Sequence, residues 1–78
     1  MPTVLRTRGF QFYFYSHEPN EPPHVHVDKG GASAKFWIER IALAKNMGYN
    51  AAELRQIHRI IEEHQNYLLQ KWHEHFPE

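Results

Sequence analysis

The feature that most constrains this chain is a change of hydrophobic period near residue 50. Before it, apolar residues alternate. Phe10, Phe12 and Phe14 fall on one side of an extended run, with Gln11, Tyr13 and Tyr15 on the other. The run 32–39 repeats the pattern, setting Ala34, Phe36 and Ile38 against Ser33, Lys35, Trp37 and Glu39. A repeat of two is what a strand with one buried face requires. After residue 50 the spacing becomes helical: Leu54, Ile57, Ile61, Leu68, Trp72 and Phe76 form one stripe, with His64 inside it and His58 and His75 at its edges. Strands followed by helix define an α+β class. The expected architecture is an antiparallel sheet of three to five strands with a long C-terminal helix, straight or kinked, packed on one face.

Local signals mark the boundaries. Residues 3–6 are β-prone, and Arg8-Gly9 is a turn before the aromatic run. Residues 16–23 carry three prolines and read as a loop. Lys29-Gly30-Gly31 is a hairpin turn between residues 24–28 and 32–39. Residues 41–44 fit a short strand or a helical turn equally well, and 45–49 read as a connection. Asn50, with Glu53 three residues on, has the form of a capping box. The helix it starts runs to about residue 75, and Asn66 is the candidate cap for a second segment if a kink falls at 64–66. The chain is expected to be one domain, β-rich over 1–45 and helical over 50–76.

At 78 residues there is room for one core, and the aromatic share of 14% supplies large rings to fill it. There is no cysteine, which excludes thiolate metal sites and cysteine nucleophiles and favours a reducing, cytoplasmic setting. No apolar run approaches a membrane span, and the first residues do not form a signal peptide. Nine Lys and Arg balance nine Asp and Glu, so a general electrostatic grip on nucleic acid has no support from net charge. No phosphate-binding loop, dinucleotide fingerprint, nucleophile elbow or helical His-Glu-x-x-His occurs.

The chemistry concentrates on the strand led by Pro22-Pro23. Val25 and Val27 belong with the phenylalanine face. His24 and His26 then belong with Tyr13, Tyr15, Lys35, Trp37 and Glu39, on a second face that is aromatic, titratable and expected to be open. Two imidazoles two residues apart project from the same side, at a spacing from which they can converge on one ion. With Asp28 on the same face, and Glu21 or His17 reaching in from the loop, the set suits a divalent transition metal. The plainer reading is a polar sheet face with hydrogen-bonded histidines. The same groups also fit acid–base chemistry on phosphodiesters: His24 and His26 would move protons, Lys35 would steady negative charge, and Tyr13, Tyr15 and Trp37 would stack bases. Against that stands the use of those rings and Glu39 as a protein interface, including a homodimer. His64 reads as a core-edge histidine bonded to backbone, and His73 and His75 diverge on a helix.

Several stretches together resemble a known family. They are Met1-Pro2-Thr3-Val4-Leu5-Arg6, Gly9-Phe10, Asn20-Glu21-Pro22-Pro23-His24-Val25-His26-Val27, Ala34-Lys35-Phe36-Trp37, Glu53-Leu54 and Trp72-His73-Glu74-His75-Phe76. They resemble the prokaryotic family catalogued as domain of unknown function 4160, over essentially the whole chain. The resemblance implies a small stand-alone bacterial protein, often encoded beside a second short protein in an arrangement similar to toxin–antitoxin pairs, and hence a protein partner. Its motif falls on Glu21, Pro22, Pro23, His24 and His26. Two functions are therefore compatible with the chain. One is a partner-binding module using the His/Tyr/Trp sheet face. The other is a small metal- or histidine-dependent phosphodiesterase or ribonuclease-like enzyme centred on His24 and His26.

Overall fold

In the computed structural model, which describes residues 3–15 and 20–77, five strands precede two helices. They are β1 (Thr3–Thr7), β2 (Phe10–Tyr13), β3 (His24–Lys29), β4 (Ala32–Trp37), β5 (Ala42–Met47), α1 (Ala51–Glu63) and α2 (Gln65–His75). Spatial order follows chain order, so the sheet is an antiparallel meander with β1 and β5 at its edges. The expected sheet of three to five strands is thus realised at its upper limit.

Turn chemistry sets the register. Thr7 pairs with Phe10 across Arg8 and Gly9, both with positive φ (54° and 85°), as a two-residue turn matched to strand twist demands. Lys29 pairs with Ala32 across Gly30-Gly31, with Gly30 at φ 60°. Of residues 41–44, Ile41 stays in the turn and 42–44 resolve as strand, and β5 runs on through Lys45, Asn46 and Met47 where the sequence suggested a connection. The reason is a bulge: β4 partners step from Lys45 to Leu43, which leaves Ala44 unpaired and breaks the repeat of two.

The inner face is the one the alternation assigns. Phe10, Phe12, Phe14, Val25, Val27, Ala34, Phe36 and Ile38 are all buried and share one cluster with Ile57, Ile61, Leu68 and Trp72 of the helices. Ile60 and Tyr49, absent from the expected stripe and strands, are buried there too. Ile60 widens the stripe of α1, as core-facing helices commonly require.

Asn50 caps α1 as expected. Its side chain accepts from the Glu53 N–H at 2.8 Å, and Glu53 Oε1 accepts from the Asn50 N–H at 3.0 Å. The expected single long helix is not formed. The helical half divides into two helices at His64, whose φ of −118° and ψ of 19° lie outside the helical range. Neither Pro nor Gly causes the break. The His64 ring nitrogen Nδ1 lies 2.9 Å from the Ile60 carbonyl oxygen, and the Gln65 side-chain amide donates to the carbonyls of Ile38 (2.8 Å) and Glu39 (3.2 Å). Side chains thus take up backbone groups at the joint, and Gln65 ties it to the β4–β5 turn. His64, rather than Asn66, stands at the cap position of α2. Its backbone-bonded place at the core edge agrees with the expectation from sequence.

Tyr49 carries a testable consequence. Its hydroxyl donates to the Val27 carbonyl at 3.0 Å, which locks the approach to α1 onto the central strand. Burial, followed by the nearby carboxylates of Asp28 and Glu53, pushes its phenol up to about 12. An unfolded tyrosine titrates near about 10, so above that pH the unfolded chain releases a proton that the folded chain keeps. The associated stability is whole below about pH 10 and is lost as pH rises towards about 12. Tyr49→Phe is expected to cost about 0.5–1.5 kcal/mol at neutral pH and to lessen the alkaline loss. Urea unfolding at neutral and alkaline pH checks both; an unchanged alkaline slope would contradict this assignment.

Candidate functional site

The alternates of the core residues make the outer face. Register places His24 opposite Trp37, His26 opposite Lys35 and Tyr13, and Asp28 opposite Ser33 and Gln11. On the β5 side, Lys35 faces Lys45 and Ser33 faces Met47. The sequence therefore assigned these residues to the right side of the sheet. It did not assign their surroundings, and the expectation of an open face needs correcting. His24 is 1% exposed, His26 9% and Tyr13 8%.

His24 is enclosed because the last turns of α2 reach the start of β3. Its ring centroid lies 4.9 Å from that of Trp72, 5.7 Å from Trp37 and 5.2 Å from His26, and its Nδ1 is 2.9 Å from the Pro22 carbonyl oxygen. The proline pair thus presents a backbone acceptor to the first histidine of the strand it leads. His26 lies among tyrosines, with centroids 5.6 Å from Tyr13 and 4.0 Å from Tyr15.

The Tyr13 hydroxyl donates to Asp28 Oδ1 at 3.0 Å. Burial first, then the bonds with Tyr15 and Asp28, raises the Tyr13 phenol well above the tyrosine range. Tyr13 therefore acts as a proton-bearing donor at neutral pH and supplies no base. Lys35 is engaged on two sides: its ammonium pairs with Glu21 and lies 4.7 Å above the Trp37 ring. This pair holds the Glu21-Pro22-Pro23 approach against the sheet.

The candidate residues are divided between places. Tyr13, Tyr15, His26 and Lys35 line a half-open cleft of about 260 Å³, together with Ser33, Ala34, Lys45 and Met47. Glu39 is elsewhere, beside Glu21, Pro22, Pro23, Trp72 and His73, in a depression of about 500 Å³ at the end of α2. His24, Trp37 and Asp28 do not line the cleft. Lys45 and Met47 are site residues that the sequence reading missed. The signal was their spacing of two, matching Ser33 and Lys35 across the turn, and the bulge at Ala44 obscured it.

For a metal, His24 and His26 are close, but Asp28 is turned to Tyr13. Among the described residues no three His, Asp or Glu side chains are grouped so as to hold an ion. His17, which the sequence offers as a further ligand, lies outside the described residues. No helix among the described residues is long and apolar enough to cross a membrane.

Fold and site define a class: a five-stranded antiparallel meander backed by two helices, with a tyrosine- and lysine-lined cleft on the outer face. The chain belongs to the family described as Domain of unknown function (DUF4160), whose model matches residues 9–73. No curated protein and no solved structure matches it.

Proposed function

We propose that the chain is a cytoplasmic partner-binding module of a toxin–antitoxin-like gene pair, and that its interface is the cleft end of the outer face. One observation carries this reading. Of the four large hydrophobic residues exposed among the described residues, Tyr15 (40%) and Met47 (57%) line the cleft, whereas Leu43, paired with Phe36, belongs to the other side of β5. Exposed apolar groups gathered at one place on a small domain mark interaction surfaces, and tyrosine and methionine suit the centre of a protein contact, with the lysine at its polar rim. The partner to test is the short chain encoded nearby that the family arrangement implies. Co-expression of the two chains is expected to give a complex that co-purifies and a linked effect on growth, with arrest by one chain and rescue by the other. Failure to co-purify, with no change in growth from either chain, would contradict it.

A second reading has an observation of its own. His26, Lys35 and the Tyr13 donor converge on the same cleft, so proton transfer and charge stabilisation on a phosphodiester have their groups in one place. That reading rests on His26 rather than on His24, which is enclosed. RNA cleavage that survives His26→Gln in a folded protein would eliminate it.

A further inference from the structure

The two edges of the sheet are treated differently. On β1, the Tyr67 hydroxyl of α2 donates to the Val4 carbonyl at 2.7 Å, and the register shifts between Thr3 and Leu5, so a helix side chain and a bulge occupy that edge. A strand arriving there would have to displace Tyr67. β5 carries a bulge of its own at Ala44, but no side chain of the helices bonds to its backbone among the described residues. Leu43 to Met47 are all exposed, and the side-chain bonds of Asn46 run back to Tyr49 rather than across the edge.

We propose that β5 is a strand-addition site for an extended, acidic segment of a partner protein. This deepens the partner-binding reading above and rests on it. Strand addition takes its affinity from main-chain hydrogen bonds to an exposed edge, and its specificity from alternate side chains. On the outer face of β5 the alternate positions are Lys45 and Met47, both at the mouth of the cleft. Lys45 has no ion-pair partner among the described residues, whereas Lys35 one strand further in is paired with Glu21.

A residue of the added strand opposite Lys45 would stand about 4.5–5.5 Å away between Cβ atoms, where an opposite charge is favourable and a like charge is not. Its neighbour two residues along would meet Met47 and the open side of the cleft. The lysine and the Ala44 bulge are also the devices by which edges resist indiscriminate pairing. They disfavour a basic strand, and a second copy of this chain would bring the same lysine. An acidic segment in which a carboxylate and an apolar residue stand two apart is the occupant that matches both positions.

The probe is a synthetic peptide of repeating Glu-Thr-Val-Thr, which sets glutamate and valine two residues apart on one face, compared with its counterpart carrying lysine at the glutamate positions. Amide hydrogen exchange and NMR shifts of the full chain are followed during each titration. The glutamate peptide is expected to protect amides of residues 42–47 and to shift Met47, leaving β1 unchanged. The lysine peptide should bind about three- to tenfold more weakly, the effect of reversing one exposed charge pair. Lys45→Glu, an exposed edge substitution, should reverse that preference. Unaltered exchange on β5 up to the solubility limit of the peptide would overturn strand addition. Protection indifferent to peptide charge would overturn the acidic occupant, as would β5 amides protected without peptide in a chain of doubled mass. Failure of the broader partner reading shows separately, as the absence of a complex with the chain encoded nearby.

Discussion

Replacing Trp72 by alanine should remove about 3–5 kcal/mol of stability, the usual cost of truncating a large buried ring. Trp72 is 5% exposed and packs edge-on to Phe14 at 5.3 Å, against His24 at 4.9 Å and against Phe76 at 4.3 Å. Leu68 and Trp72 are the two buried residues of α2, so the alanine variant leaves that helix one buried anchor. In a chain of this size each kcal/mol moves the melting midpoint by about 4–8 °C. The expected fall is therefore more than about 12 °C, and it is checked by circular dichroism melting. Trp72→Phe, which keeps a ring, should recover more than half of it. A fall of under about 5 °C for the alanine variant would mean that α2 is not held through this contact.

His24→Ala is expected to be nearly as damaging, at about 2–4 kcal/mol. The ring is completely enclosed among Trp37, Trp72 and His26, so its removal leaves a cavity, and the bond between its Nδ1 and the Pro22 carbonyl is lost with it. His24→Phe restores volume without the hydrogen bond and should lie between alanine and wild type. The consequence for function is direct. Loss of any activity on His24→Ala reports unfolding as readily as chemistry, and the paired His24/His26 alanine variant is a poor probe of catalysis. His26, at the cleft, is the histidine whose substitution reads on function. Urea unfolding of the alanine and phenylalanine variants measures the effect; a cost below about 0.5 kcal/mol for alanine would remove the structural role given to His24.

These two residues show where sequence patterning reaches and where it stops. The alternation of Phe10, Phe12 and Phe14, and of Ala34, Phe36 and Ile38, is a local property set by strand geometry, and all six are buried as it requires. The Asn50–Glu53 cap is local too. What alternation cannot contain is the covering of the other face. His24 is buried by Trp72, 48 positions away in the chain, and Lys35 is engaged by Glu21 across a loop. Glu39 shares the strand parity of Trp37 yet lies past the end of β4 and turns to a different depression. The helix break at His64 falls within the 64–66 stretch where the sequence allowed a kink, but the full division depends on Gln65 finding the carbonyls of Ile38 and Glu39, a tertiary contact that local sequence does not contain. β5 was half-hidden for a different reason: one bulged residue shifts the repeat, and a pattern of period two no longer registers.

The fold thus separates two histidines that the sequence treats as a pair. His24 fastens the start of β3 to α2, while His26 borders a cleft whose rim is Tyr15, Lys45 and Met47. The most direct test of that cleft as the interface is the affinity of the Met47→Asp variant for the chain encoded nearby, measured by calorimetry beside the wild type. Met47 is 57% exposed and belongs to an edge strand, so the substitution should leave the melting midpoint within a few degrees of wild type. With the cleft end as the interface, affinity should fall at least about tenfold, as expected for an anchor side chain replaced by a charge. Undiminished affinity in a variant that melts like the wild type would place the interface elsewhere and contradict the account.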